Sequence, residues 1–151
     1  MVLAGALLAG LAQAKVSHRG WPPRMRLWIA PNRGGHRDVH RSRRNWELLG
    51  SHGDDYIVGG RGRNVVWGDH IPGNLTHQRD VLIGGPGRDF IYTSHGRNTV
   101  LTGAGRDVVH AEYGRGKLTC GRPDDLVYVT GRSRRAYRFS NCTRFRLVRG
   151  R

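Results

Sequence analysis

From Gly50 almost to the C-terminus the chain repeats itself every nine residues. In frame the blocks read GSHGDDYIV (50–58), GGRGRNVVW (59–67), GGPGRDFIY (84–92), TSHGRNTVL (93–101), TGAGRDVVH (102–110), AEYGRGKLT (111–119) and CGRPDDLVY (120–128). The stretch 68–83 between the second and third ends in QRDVLI and rejoins the frame with seven extra residues. Six loop-like positions are followed each time by three strand-like ones. A short fixed period of this kind specifies a stacked architecture, because no single unit buries a core by itself.

The eighth position carries an aliphatic side chain in every block: Ile57, Val66, Leu82, Ile91, Val100, Val109, Leu118 and Val127. A three-residue strand with one inward side chain does not recover the about 1–2 kcal/mol per residue that ordering its backbone costs. Parallel strands stacked about 4.8 Å apart do, by forming a thin continuous core. Two units per coil predict an all-β parallel β-roll (a β-solenoid of nine-residue half-coils) with even blocks on one wall and odd blocks on the other. Glycines at the first, second and fourth positions let the loops turn tightly.

The sixth position reads Asp55, Asn64, Asp80, Asp89, Asn98, Asp107, Gly116 and Asp125. One role for Asp or Asn there is turn formation through bonds to backbone amides. The other follows from stacking: successive loops in register place carboxylates beside carbonyls, an all-oxygen set of the kind calcium takes.

These blocks resemble the haemolysin-type, or repeats-in-toxin (RTX), calcium-binding nonapeptide G-G-x-G-x-D-x-U-x, and residues 84–92 match every defined position. The C-terminal stretch CGRPDDLVY…NC is similar to the ending of small secreted bacterial repeat proteins of this type. The resemblance covers about residues 41–142. It implies ions held between loops on the same edge by sixth-position side chains and loop carbonyls. Carried over by position, the even edge stacks Asn64, Asp89, Asp107 and Asp125, and the odd edge stacks Asp55, Asp80, Asn98 and Gly116. Three consecutive carboxylates predict two even-edge sites, Asp89 with Asp107 and Asp107 with Asp125. The odd edge is eroded, because Gly116 offers no ligand and the loop before Asp80 has lost its glycines.

The fifth position opposes the ion with Arg63, Arg79, Arg88, Arg97, Arg106 and Arg115. A unit charge about 10 Å from a divalent ion costs about 0.8 kcal/mol in water before screening. The arginines therefore weaken a carboxylate site without abolishing it. They also open a second route, in which a guanidinium of one coil bonds the Asp of the next and replaces the ion.

Outside the repeats the chain is basic. Its formal charge is +15, almost all from arginine, with Lys15 and Lys117 the only lysines. That skew arises from biased codon usage as readily as from selection for a polyanion. Residues 1–14 are signal-peptide-like: Val2–Leu11 is apolar, too short to span a bilayer, and ends in Ala12-Gln13-Ala14. Residues 15–40 read as a basic N-terminal segment or cap, 41–142 as the roll, and 143–151 as a basic tail. The only two cysteines, Cys120 and Cys142, form a disulfide in an exported chain and stay reduced in a cytosolic one.

Positions seven and nine flank the core residue and should face solvent, yet the even wall carries Val65, Phe90, Val108 and Leu126 at seven and Trp67, Tyr92, His110 and Tyr128 at nine. Either the N-terminal segment, with Trp21, Leu27, Trp28 and Ile29, folds over this stripe, or it is a stacking platform for a polysaccharide or single-stranded nucleic acid. The eight histidines show no zinc spacing. No nucleophile elbow or Ser/His/Asp arrangement stands apart from the repeat. The expectation is a secreted, non-enzymatic protein that folds with the help of calcium. The alternatives are a module binding an anionic polymer (nucleic acid or cell-surface polymer) and an ion-independent structural surface protein.

Overall fold

The computed structural model describes residues 18–31, 34–71 and 77–150. The signal-like segment and residues 72–76 of the insertion lie outside these. The described residues form two parallel sheets back to back. One has seven strands: β1 (Arg26–Ile29), β3 (Trp46–Leu49), β5 (Val65–Trp67), β7 (Phe90–Tyr92), β9 (Val108–Ala111), β11 (Leu126–Val129) and β13 (Arg144–Leu147). The other has six: β2 (His36–Val39), β4 (Asp55–Val58), β6 (Arg79–Gly85), β8 (Arg97–Gly103), β10 (Arg115–Thr119) and β12 (Tyr137–Ser140). The chain alternates between walls at every strand, which makes a β-solenoid.

The registers follow the nine-residue frame. Val66, Ile91, Val109 and Val127 stack on one wall, and Ile57, Leu82, Val100 and Leu118 on the other. All eight are fully buried. Each removes an aliphatic side chain from water, worth about 1.5–3 kcal/mol. The core is one side chain deep per wall and closes at its ends on Trp28, Trp46, Phe139 and Phe145.

Strands occur beyond the span 41–142. Segment 15–40, which shows no period, contributes β1 and β2, and the basic tail contributes β13. Their loops lack the glycine spacing, so only the inward Trp28, in register with Leu48, and Phe145, in register with Val127, betray the rungs. Helix α1 (Gly131–Ala136) was not anticipated. It starts at a reciprocal cap in which Thr130 accepts from Ser133 N and Ser133 Oγ accepts from Thr130 N. Cys120 and Cys142 are disulfide-bonded, tying the end of β10 to the β12–β13 turn. Among the described residues no helix is long and apolar enough to cross a membrane.

Candidate metal centre

The sixth-position side chains turn inward at the two edges of the roll. Asp55, Asn64, Asp80, Asp89, Asn98, Asp107 and Asp125 are all buried, at 0–1% exposure. On the even edge they form an axial chain. Asp89 Oδ1 accepts from Asn64 N at 2.6 Å, Asp107 Oδ1 from Asp89 N at 2.7 Å, and Asp125 Oδ1 from Asp107 N at 2.9 Å. On the odd edge Asp80 Oδ1 accepts from Asp55 N at 3.0 Å. The coil length does this: 18 residues separate Asp89, Asp107 and Asp125, and 25 separate the pairs that span the insertion.

The second carboxylate oxygens distinguish the loops. Asp89 Oδ2 accepts from Gly85 N at 2.6 Å and Asp55 Oδ2 from Ser51 N at 2.9 Å, each four residues back. Asp125 Oδ2 accepts from Thr102 Oγ1 at 2.7 Å and from Arg122 N at 3.2 Å. Asp107 Oδ2 and Asp80 Oδ2 are buried with no hydrogen-bond partner, because the hydroxyls beside them, Thr102 and Ser94, donate their hydrogens to Asp125 Oδ2 and Asn98 Oδ1. Burial raises the pKa of both to about 7 and that of Asp89 to about 6. The neighbouring Asp89 and Asp125 charges add to the rise at Asp107.

An anionic oxygen removed from water without a donor calls for a proton or a cation. The side chains that meet Asp107 along the column, Asp89, Asp125 and Thr102, present oxygens, which suits calcium, while the adjoining cleft is also lined by Arg88, Arg106 and Arg144. Among the described residues no three His, Cys, Asp or Glu side chains converge on one point. An ion at Asp107 would therefore need oxygens from beyond the side-chain carboxylates, such as loop carbonyls.

The two asparagines do something different. Asn64 Nδ2 donates to Gly60 O at 3.2 Å, Gly62 O at 3.1 Å and Asp89 Oδ1 at 2.9 Å. Asn98 Nδ2 donates to Ser94 O at 3.0 Å, Gly96 O at 3.4 Å and Tyr137 Oη at 2.9 Å. Both amides sit on the carbonyls of their loop's second and fourth residues. Tyr137 pairs with Gly116 across the sheet and donates its hydroxyl to Tyr113 O at 2.8 Å. Gly116, at φ +139°, lies against the Asn98 backbone, where a Cβ would come within 2.0 Å of Asn98 O. At the other end of the odd edge His36 Nδ1 lies 3.1 Å from Asp55 Oδ1. Tyr137 and Thr102 carry no sequence signal for these contacts, and His36 reads in the basic segment as a solvated side chain, because each role depends on which coil lies next to it.

One arginine does reach the aspartate of the next coil: Arg106 Nε donates to Asp124 Oδ2, 18 residues on, at the fifth position rather than the sixth. Arg106 and Arg122 both pair with Asp124, at 3.1 and 3.0 Å. Arg88 stands over Phe90 at 5.3 Å, and Arg63 donates to Gly20 O at 3.2 Å.

The outer even face is a ladder of rings. Trp67, Tyr92, His110 and Tyr128 stack at 4.1, 4.6 and 4.5 Å with interplanar angles of 4–10°. Their faces are spent on one another, so the ladder presents edges rather than a stacking platform. Trp21 lies across it and donates from Nε1 to Tyr92 Oη at 2.9 Å. With Met25 it packs on Val65, Phe90 and Val108. The N-terminal segment thus covers the stripe through Trp21 and Met25. Leu27 and Ile29 stay exposed on β1, and Trp28 packs on the core.

Four copies of the RTX calcium-binding nonapeptide repeat match the chain, over residues 48–70 and 78–109. No curated protein and no solved structure matches significantly. The protein is a parallel β-solenoid that carries four RTX-type calcium-binding nonapeptides at its centre, with further rungs at both ends that the repeat match does not reach.

Proposed function

We propose that the protein is an exported, non-enzymatic calcium-binding module whose even edge closes on calcium at the gaps between Asp89, Asp107 and Asp125. The observation that carries this reading is the buried, unpartnered Oδ2 of Asp107 in the middle of a carboxylate column. When bound, calcium supplies positive charge to oxygens that otherwise repel one another. The chain's part is to bring the loops into register through the aliphatic stack, hold each Oδ1 on a backbone amide, and exclude water. Folding and ion binding are then coupled, so the even edge orders where calcium is plentiful. The disulfide at the C-terminal end suits an oxidising, extracellular setting. Calorimetric titration of metal-free protein at pH 7.5 tests the reading. Two calcium ions per chain and a raised melting temperature are expected; no heat and no shift at millimolar calcium would refute it.

A second reading is supported by the arginine column of the odd edge. Arg79, Arg97 and Arg115 stand in register on β6, β8 and β10, all exposed. Like charges on neighbouring strands, whose backbones lie about 4.8 Å apart, repel one another, and an anionic polymer lying along the column would meet all three. Its binding should weaken steeply with salt. The triple change of these arginines to Gln should abolish it, whereas retention of affinity would rule this edge out.

A further inference from the structure

The sixth-position amides of Asn64 and Asn98 occupy the place where a loop would otherwise need a cation. In each, one Nδ2 donates to carbonyls of the loop's second and fourth residues and to one oxygen beyond the loop, Asp89 Oδ1 for Asn64 and Tyr137 Oη for Asn98. The orientation is chemically forced. Turning the amide over would aim Oδ1 at three oxygens, and Asn64 Oδ1 already forgoes a partner to avoid this. An ionised aspartate has no hydrogen to offer those carbonyls, so an Asp loop lacks what an Asn loop makes for itself. On the odd edge the substitution is doubled: beyond Asn98 the next sixth position is Gly116, and Tyr137 passes its hydroxyl over that gap to Asn98 and Tyr113.

We propose that Asn64, Asn98 and Tyr137 are built-in substitutes for calcium. They keep the ion out of their own loops, confine binding to the two gaps between Asp89, Asp107 and Asp125, and hold the C-terminal odd edge ordered in the absence of metal. The inference rests on the calcium reading for its count of ions, and on the hydrogen bonds alone for its metal-free part. The disulfide from β10 to the β12–β13 turn closes the same end of the roll. The chain thus keeps a preformed stack at low calcium on which the even edge completes itself. Of the remaining odd-edge carboxylates, Asp55 faces His36, and the four residues before Arg79 (Leu75, Thr76, His77, Gln78) include no glycine.

Two variants of the full chain test this by calorimetric calcium titration and by melting in chelator. Asn64→Asp restores a carboxylate facing Asp89, so bound calcium should rise from two to three per chain. The same variant should melt about 6 °C lower than wild type in chelator, through loss of its amide bonds, and calcium should more than restore it. Asn98→Asp with Tyr137→Phe should likewise lower the chelator melting point. An unchanged count in Asn64→Asp, or chelator melting points equal to wild type in both variants, overturns the inference. If the wild type binds no calcium, the function proposed above fails. The chelator melts then still decide whether the amides and the hydroxyl hold these loops.

Discussion

The substitution Asp107→Asn separates the burial of charge from the binding of calcium. Asp107 is fully buried, its Oδ1 takes the Asp89 amide at 2.7 Å, and its Oδ2 has no partner. Burial, with Asp89 and Asp125 beside it, lifts its pKa from 3.8 to about 7. The folded protein therefore holds a proton between about pH 4 and 7 that the unfolded chain has released. Stability without metal falls as pH rises through this window and levels off above it. At about 1.4 kcal/mol per pKa unit, the buried charge costs about 4 kcal/mol at pH 8. For a chain of this length that corresponds to about 10 °C in melting temperature. Melting followed by circular dichroism, at pH 5 and pH 8, in chelator and in excess calcium, reads all four corners. In chelator at pH 8 the Asn variant should melt higher than wild type, and at pH 5 the gap should narrow to less than half, since about 1.7 kcal/mol of the cost is already present about 1.2 pH units above the unfolded pKa of 3.8. Calcium at pH 8 should raise the wild type by several degrees and the variant far less, because Asp107 belongs to both gaps. If the variant melts no higher than wild type in chelator at pH 8, the buried charge is not what destabilises the metal-free roll. If calcium raises both equally, Asp107 is not at the ion.

Other perturbations read other layers of the same structure. Gly121→Ala should unfold the C-terminal coil, since its Cβ would lie 1.6 Å from Gly103 O; Gly131→Ala, with nothing within 4 Å, should leave the melting temperature unchanged or slightly higher. Reducing the Cys120–Cys142 disulfide, which spans 22 residues, should cost about 3 kcal/mol on the chain-entropy model and lower the denaturant midpoint. Ile91→Ala, at a fully buried position of the stack, should cost about 2–5 kcal/mol in equilibrium unfolding. Trp21→Ala should uncover Phe90 and Tyr92 and increase binding of a hydrophobic dye, whereas Leu27→Ala, at an already exposed position, should not.

The limits of the sequence reading follow particular residues. The aliphatic eighth position and the spaced glycines were enough to predict two parallel walls, because only stacking buries one side chain per strand. They predicted the register as well: Val66, Ile91, Val109 and Val127 meet as the frame requires. The outer rungs β1, β2 and β13 escaped because their loops carry no glycine signature, although Trp28 and Phe145 fill the same inward column. Helix α1 is too short to show a period, and its Thr130–Ser133 cap was its only signal.

Sequence by itself determined the coil length, and with it which sixth-position residues share an edge. It did not determine what those residues do. Asp and Asn at one position look interchangeable as turn formers or ligands, since both carry an oxygen. In the stacked roll the difference is a pair of hydrogens: Asn64 and Asn98 satisfy their own loops, whereas Asp107 is left with a buried oxygen that nothing answers. Similarly, a ring at the ninth position of each even block suggested a surface for ligands until the roughly 4.8 Å rise of parallel strands set the rings face to face. Such outcomes depend on which coil lies above and below, and that neighbour is supplied by tertiary structure.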